Sequence, residues 1–115
     1  MIPKKLKRAL SIRQPLIEAI LTGEKTWEFR SWATKIRERV YLYASKKAIR
    51  ETVYGFTHTD SLALPRGLVV GSVEIIGCMD DEEGGFGWEL ASPVRYPKPW
   101  VAHGVPQPAF WDPTF

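Results

Sequence analysis

Gly23-Glu24-Lys25-Thr26-Trp27-Glu28-Phe29-Arg30-Ser31-Trp32 is the stretch on which the fold turns. Upstream of it the apolar pattern is helical: Leu16, Ile17, Ile20 and Leu21 fall on one face. Pro15 suits a first helical position, where its missing N–H has no intrahelical partner in any case. Gly23 suits the left-handed residue that closes such a helix. From Thr26 to Trp32 the period changes to two, so Trp27 and Phe29 point one way and Thr26, Glu28 and Arg30 the other. Lys25 falls at the turn before this strand. Lys25, Glu28 and Arg30 around two tryptophans suggest a recessed polar site beside a core, with Trp27 assigned to the core.

The pattern on either side is mainly that of strands. Residues 8–12 read as a short strand. In residues 39–44, Val40, Leu42 and Ala44 alternate with Arg39, Tyr41 and Tyr43. Residues 45–54 read as a second helix with Ser45 as N-cap, and 55–67 as a loop. Leu68 to Met79 is a long strand in which Val69, Val73 and Ile75 share a face. Gly71 and Gly77 on that face mark bulges or a bend. An acidic, glycine-rich loop spans 80–87. A strand over 88–96 bends at Pro93, and the proline-rich remainder is extended, with an edge strand at 109–112. The expected fold is mainly β with short helices (α+β), a small curled sheet or partly closed barrel, in a single domain over 1–115.

Composition narrows the setting. At 115 residues the chain can bury a core without staples. Cys78 is the only cysteine, which excludes an intrachain disulfide and fits a reducing compartment, so a cytoplasmic location is expected. No apolar run is long enough for a membrane helix. Residues 1–50 hold 13 of the 16 Lys and Arg and carry a balance of +9; residues 51–115 carry −6. A basic half of this kind attracts phosphates, although a solvated surface has the same composition. His58 and His103 stand far apart and no ligand spacing surrounds Cys78, so no metal site and no cofactor are expected. Walker, dinucleotide and nucleophile-elbow motifs are absent from the sequence.

Ala9-Leu10-Ser11-Ile12-Arg13-Gln14-Pro15, the Gly-x-Lys-x-x-Glu-x-Arg run at Gly23, Lys25, Glu28 and Arg30, and Tyr41-Leu42-Tyr43-Ala44-Ser45 together resemble the ASCH domain family of the PUA-like superfamily. Gly71-x-Val73-x-Ile75, Trp88-x-Leu90, Pro93-x-Arg95 and Phe110-Trp111 extend the likeness over nearly the whole chain. The resemblance implies a small PUA-like β-barrel with a cleft near the motif, and RNA, DNA or a nucleoside as ligand. Some members of the family are reported as nucleases, and a compact subset hydrolyses N4-acetylcytidine. That subset has threonine where this chain has Glu28, which places the chain nearer the larger branch with transcription coactivator domains. His103-Gly104 and Gln107-Pro108 depart from the Lys-Gly and Gln-Gly common in the family.

Each candidate residue has two readings. Lys25 holds a phosphate, acts as a base if burial lowers its pKa, or pairs with Glu24 or Glu28. Glu28 is a general base or a structural partner of Arg30. Arg30 and Arg13 are candidate phosphate binders. Trp32, Tyr41 and Tyr43 are candidate base platforms, the tyrosines equally a second packed face. Ser45, Lys46 and Lys47 form a candidate anion site at a helix start. The leading expectation is an RNA-binding module. The alternatives are a metal-independent hydrolase of RNA or a modified nucleoside, with Lys25 and Glu28 as its acid and base, and a protein-interaction domain. Oligomeric state is not legible in the sequence.

Overall fold

The computed structural model describes residues 5–47 and 63–115. Its elements in chain order are β1 (Ala9–Ile12), α1 (Leu16–Leu21), β2 (Trp27–Arg30), β3 (Arg39–Ala44), β4 (Leu68–Asp80), β5 (Phe86–Trp100) and β6 (Phe110–Trp111). All six strands form one sheet in the order β2-β5-β4-β3-β1-β6. Only β1 and β3 run parallel, with Leu10 opposite Leu42; every other pair is antiparallel. A parallel pair needs a long crossover, and residues 13–38 supply it with α1 and β2. The fold is therefore mainly β, and the sheet curls into a half-barrel with α1 at its core. The anticipated helix over 45–54 lies outside the described residues beyond Lys47, and its first three residues are not helical. His58 and most of the expected 55–67 loop also lie outside them.

The period-two pattern makes two layers. Leu10, Ile12, Val40, Leu42, Val73, Ile75, Trp88 and Leu90 face inward and pack on Ile17 and Ile20 of α1. Ala9, Tyr41, Tyr43, Val69, Tyr96 and Trp111 form a second layer on the outer face. The six-residue helix is too short to stand alone, so this contact holds it. The buried amide of Gln14 helps: its oxygen accepts from the Glu18 N–H at 3.1 Å, while its NH₂ donates to the Pro65 carbonyl at 3.0 Å. Gly23, at φ 85°, closes the helix as the sequence predicts.

The long β4–β5 hairpin bends through three register shifts, and these correct one expectation. A shift between Val69 and Gly71 sends Val69 to the outer layer, while Val73 and Ile75 face inward. Side chains on the two sides of a bulge no longer obey one alternation. Gly71 is required there, because a Cβ would collide with the carbonyl oxygen of Val94. A second shift lies beside Ser92, at φ 51°, and Pro93; β5 bends there but continues to Trp100 rather than ending near 96.

Candidate functional site

β2 and β6 are the two edges of the curled sheet. No backbone ladder joins them; the gap is spanned by the side chain of Arg30. Its Nε donates to Glu28 Oε2 at 2.8 Å, one terminal nitrogen to the Ser11 carbonyl of β1 at 2.9 Å, and the other to the Pro108 carbonyl ahead of β6 at 2.9 Å. The guanidinium also lies 5.6 Å from the Trp88 ring centre, and Trp88 stacks on Phe110 of β6 at 5.3 Å. Arg30 is thus a clasp that ties edge strand β2 to the β1–β6 side of the sheet. A planar guanidinium suits this task, because its three nitrogens donate to acceptors from three different segments.

Glu28 stands behind the clasp, 6 % exposed, with Arg30 on one oxygen and Lys25 Nζ 3.5 Å from the other. Lys25 is 6 % exposed as well, and its Nζ lies 5.2 Å from the Phe29 ring centre. Burial lowers the Lys25 pKa below its ordinary 10.5; the neighbouring Glu28 opposes that shift without cancelling it, and Arg30 adds to it. Lys25, anticipated as a turn residue of free direction, is instead directed into the core. Its backbone N–H donates to the Ala19 carbonyl, and that bond ties the turn to α1.

A cleft of ≈ 730 Å³ opens over this group. Glu28 and Arg30 form its floor, Ile12, Leu16 and Tyr43 one wall, and Pro106–Pro108 the other. Arg13, Ser45, Lys46 and Lys47 line its rim. Arg13, Lys46 and Lys47 are exposed, and none forms an ion pair among the described residues. Lys25 stands beside Glu28 and does not line the cleft. Trp32 is 46 % exposed but lies outside the cleft lining, with Arg30 5.7 Å from its ring centre and Trp88 edge-on to it.

Two residues of the sequence reading need correction. Tyr41 cannot offer a stacking face: it is 1 % exposed, packs against Trp100 and Phe115, and accepts the Leu6 N–H through its hydroxyl. Trp27 belongs to neither core layer. It is half-buried on the outward face of β2, because Glu28 is paired with Trp88 and so takes the inward position. Tyr43 is buried too, 4 % exposed, and packs edge-on against Trp111 at 5.1 Å, but it also lines the cleft; burial raises its pKa. Sequence reasoning missed Ser11 and the 106–108 wall. Ser11 joins the two layers, its carbonyl held by Arg30 and its hydroxyl accepting from Trp111 Nε1 at 3.0 Å. These partners lie up to 100 residues apart, so no local pattern signals them.

The fold and site define a half-barrel domain with a buried Lys-Glu pair and a half-buried arginine beneath a basic-rimmed cleft. The ASCH domain family model matches residues 10–96, and the chain belongs to that family. The match ends before the Pro106–Pro108 wall and β6. No curated protein matches the chain. Among the described residues, no helix is long and apolar enough to cross a membrane.

Proposed function

We propose that the protein binds single-stranded nucleic acid, RNA in the first place, in the cleft above Glu28 and Arg30. The observation that carries this reading is the rim: Arg13, Lys46 and Lys47 stand exposed, without carboxylate partners among the described residues, over an apolar wall that includes Tyr43. Exposed cations around an apolar and aromatic slot suit a phosphate backbone with an unpaired base turned inward. The phosphate contacts fall to these rim residues. Arg30 is occupied as a clasp, and Lys25 lies behind Glu28. Fluorescence anisotropy with labelled RNA and DNA oligonucleotides at several salt concentrations tests the proposal. Affinity falls with salt, and replacing Arg13, Lys46 and Lys47 together by Ala lowers the log–log slope by about 2, given roughly 0.7 per phosphate contact on a single strand. A salt-independent titration, or an unchanged slope in the triple variant, overturns it.

The buried Lys25–Glu28 pair supports a second reading, a metal-independent hydrolase of RNA or of a modified nucleoside. On this reading Glu28, which lines the cleft, would take a proton from an attacking water, and Lys25, its pKa lowered by burial, would relay one. Incubation with RNA and with N4-acetylcytidine tests this against Glu28→Gln and Lys25→Ala. Turnover that survives both substitutions rejects the pair as acid and base.

A further inference from the structure

β2 turns charge inward and aromatic rings outward. Phe29 is 59 % exposed, and directly across the sheet from it come Gly87 of β5 and then Met79 of β4, itself 58 % exposed. Gly87 carries no side chain, and the gap it leaves is partly floored by the Trp27 ring. A Cβ on Gly87 would stand 3.0 Å from Trp27 Cε3 and 3.5 Å from Phe29 Cε1. The result is a notch of ≈ 220 Å³ with Trp27, Phe29 and Met79 as its apolar sides. Its remaining lining is Asp80 at the end of β4, with Asp81 and Glu82 from the turn that follows. None of these three, nor the adjacent Glu83, forms an ion pair among the described residues.

Large exposed apolar side chains gathered in one place and edged by like charge mark an interaction surface. The charge decides the class of partner. Uncompensated carboxylates repel a phosphate chain and attract Lys and Arg. The notch has room for a single large side chain. We propose that it docks a linear segment of a partner protein, with one aromatic or aliphatic residue seated between Phe29 and Met79 and flanking Lys or Arg residues paired with Asp80, Asp81 and Glu82. This surface lies on the face of β2 opposite Glu28 and Arg30 and stands independently of any ligand in the cleft. It gives the domain two sites of opposite preference, a basic-rimmed cleft and an acidic-rimmed apolar notch.

The test is selection from a display library of nine-residue peptides, followed by anisotropy titration of the selected fluorescein-labelled peptide. Met79→Ser and Glu82→Lys are the variants; both positions are exposed, and unchanged thermal midpoints verify their folding. The expected peptides carry one large apolar residue flanked by Lys or Arg. Met79→Ser weakens their binding about tenfold, and Glu82→Lys about threefold with a flatter salt dependence. Three outcomes overturn the proposal: no such bias among selected peptides, equal binding by both variants, or sedimentation showing a dimer that Met79→Ser dissolves, which would assign the notch to a second copy.

Discussion

β2 and β3 both alternate strictly, yet they use their two faces in opposite ways. On β3 the aliphatic residues Val40, Leu42 and Ala44 face the inner core and Tyr41 and Tyr43 the outer layer. On β2 Glu28 and Arg30 face in while Trp27 and Phe29 face out. The difference follows from position in the sheet. β3 is central, flanked by β1 and β4, so both its faces are covered. β2 is an edge strand beside the opening of the curl. Charges directed inward from it find one another, the Ser11 and Pro108 carbonyls, and the cleft. Alternation divides a strand into two faces; it does not say which face is inside.

The comparison can be broken most forcefully at Glu28. Glu28→Ala leaves buried Lys25 and half-buried Arg30 without their shared carboxylate. Loss of one member of a buried pair costs about 3–5 kcal/mol, so urea denaturation should show a loss of that order, and a loss below 1 kcal/mol would dissociate β2 from the core argument. Arg30→Lys is the next step down. An ammonium cannot reach Glu28, Ser11 and Pro108 at once. The expected loss is about 2 kcal/mol, accompanied by faster amide exchange in residues 106–111 as the clasp opens. Exchange unchanged in that segment would show that the Trp88–Phe110 stack closes the half-barrel alone.

Lys25 sharpens the contrast through pH. Its folded-state pKa is lowered, so the unfolded chain binds the proton more readily between that lowered value and 10.5. Stability from this group is therefore present above 10.5 and lost as pH falls through the folded value. The raised pKa values of Tyr43 and Tyr96 act in the opposite sense, their contribution being lost as pH climbs above 10.0. The difference between wild type and Lys25→Met isolates the lysine. Wild type should gain stability relative to the variant as pH rises through that interval, and a flat difference would count against a desolvated lysine. The smallest effect belongs to β3: Tyr43→Phe should change stability by no more than about 0.5 kcal/mol, since its ring does the packing against Trp111.

Much of this was legible in advance, for reasons that differ by residue. Gly23 and the helical face of Leu16, Ile17 and Ile20 were readable because capping and amphipathic spacing are local. The strand at 39–44 was readable because its alternation is uninterrupted. Lys25, Glu28 and Arg30 could be grouped because they fall within six residues of one another. Val69 goes to the other face because a bulge resets alternation: Gly71 signals a bulge or a bend, but not which residues the shift carries across. Trp27 was misassigned because aromatic residues usually go inside, and at β2 the clasp had already claimed the interior.

The amino-acid sequence by itself determined the local elements, the close grouping of a lysine, a glutamate and an arginine, and the unequal charge of the chain's two halves, since each depends on neighbours a few residues apart. Only the tertiary structure decided that Arg30 bridges β2 to the Ser11 and Pro108 carbonyls, and that the exposed cations among the described residues lining the cleft are Arg13, Lys46 and Lys47. The physical reason is distance along the chain. A guanidinium's function depends on which acceptors surround it, and those of Arg30 come from segments 19 and 78 residues away, brought together only when the sheet curls.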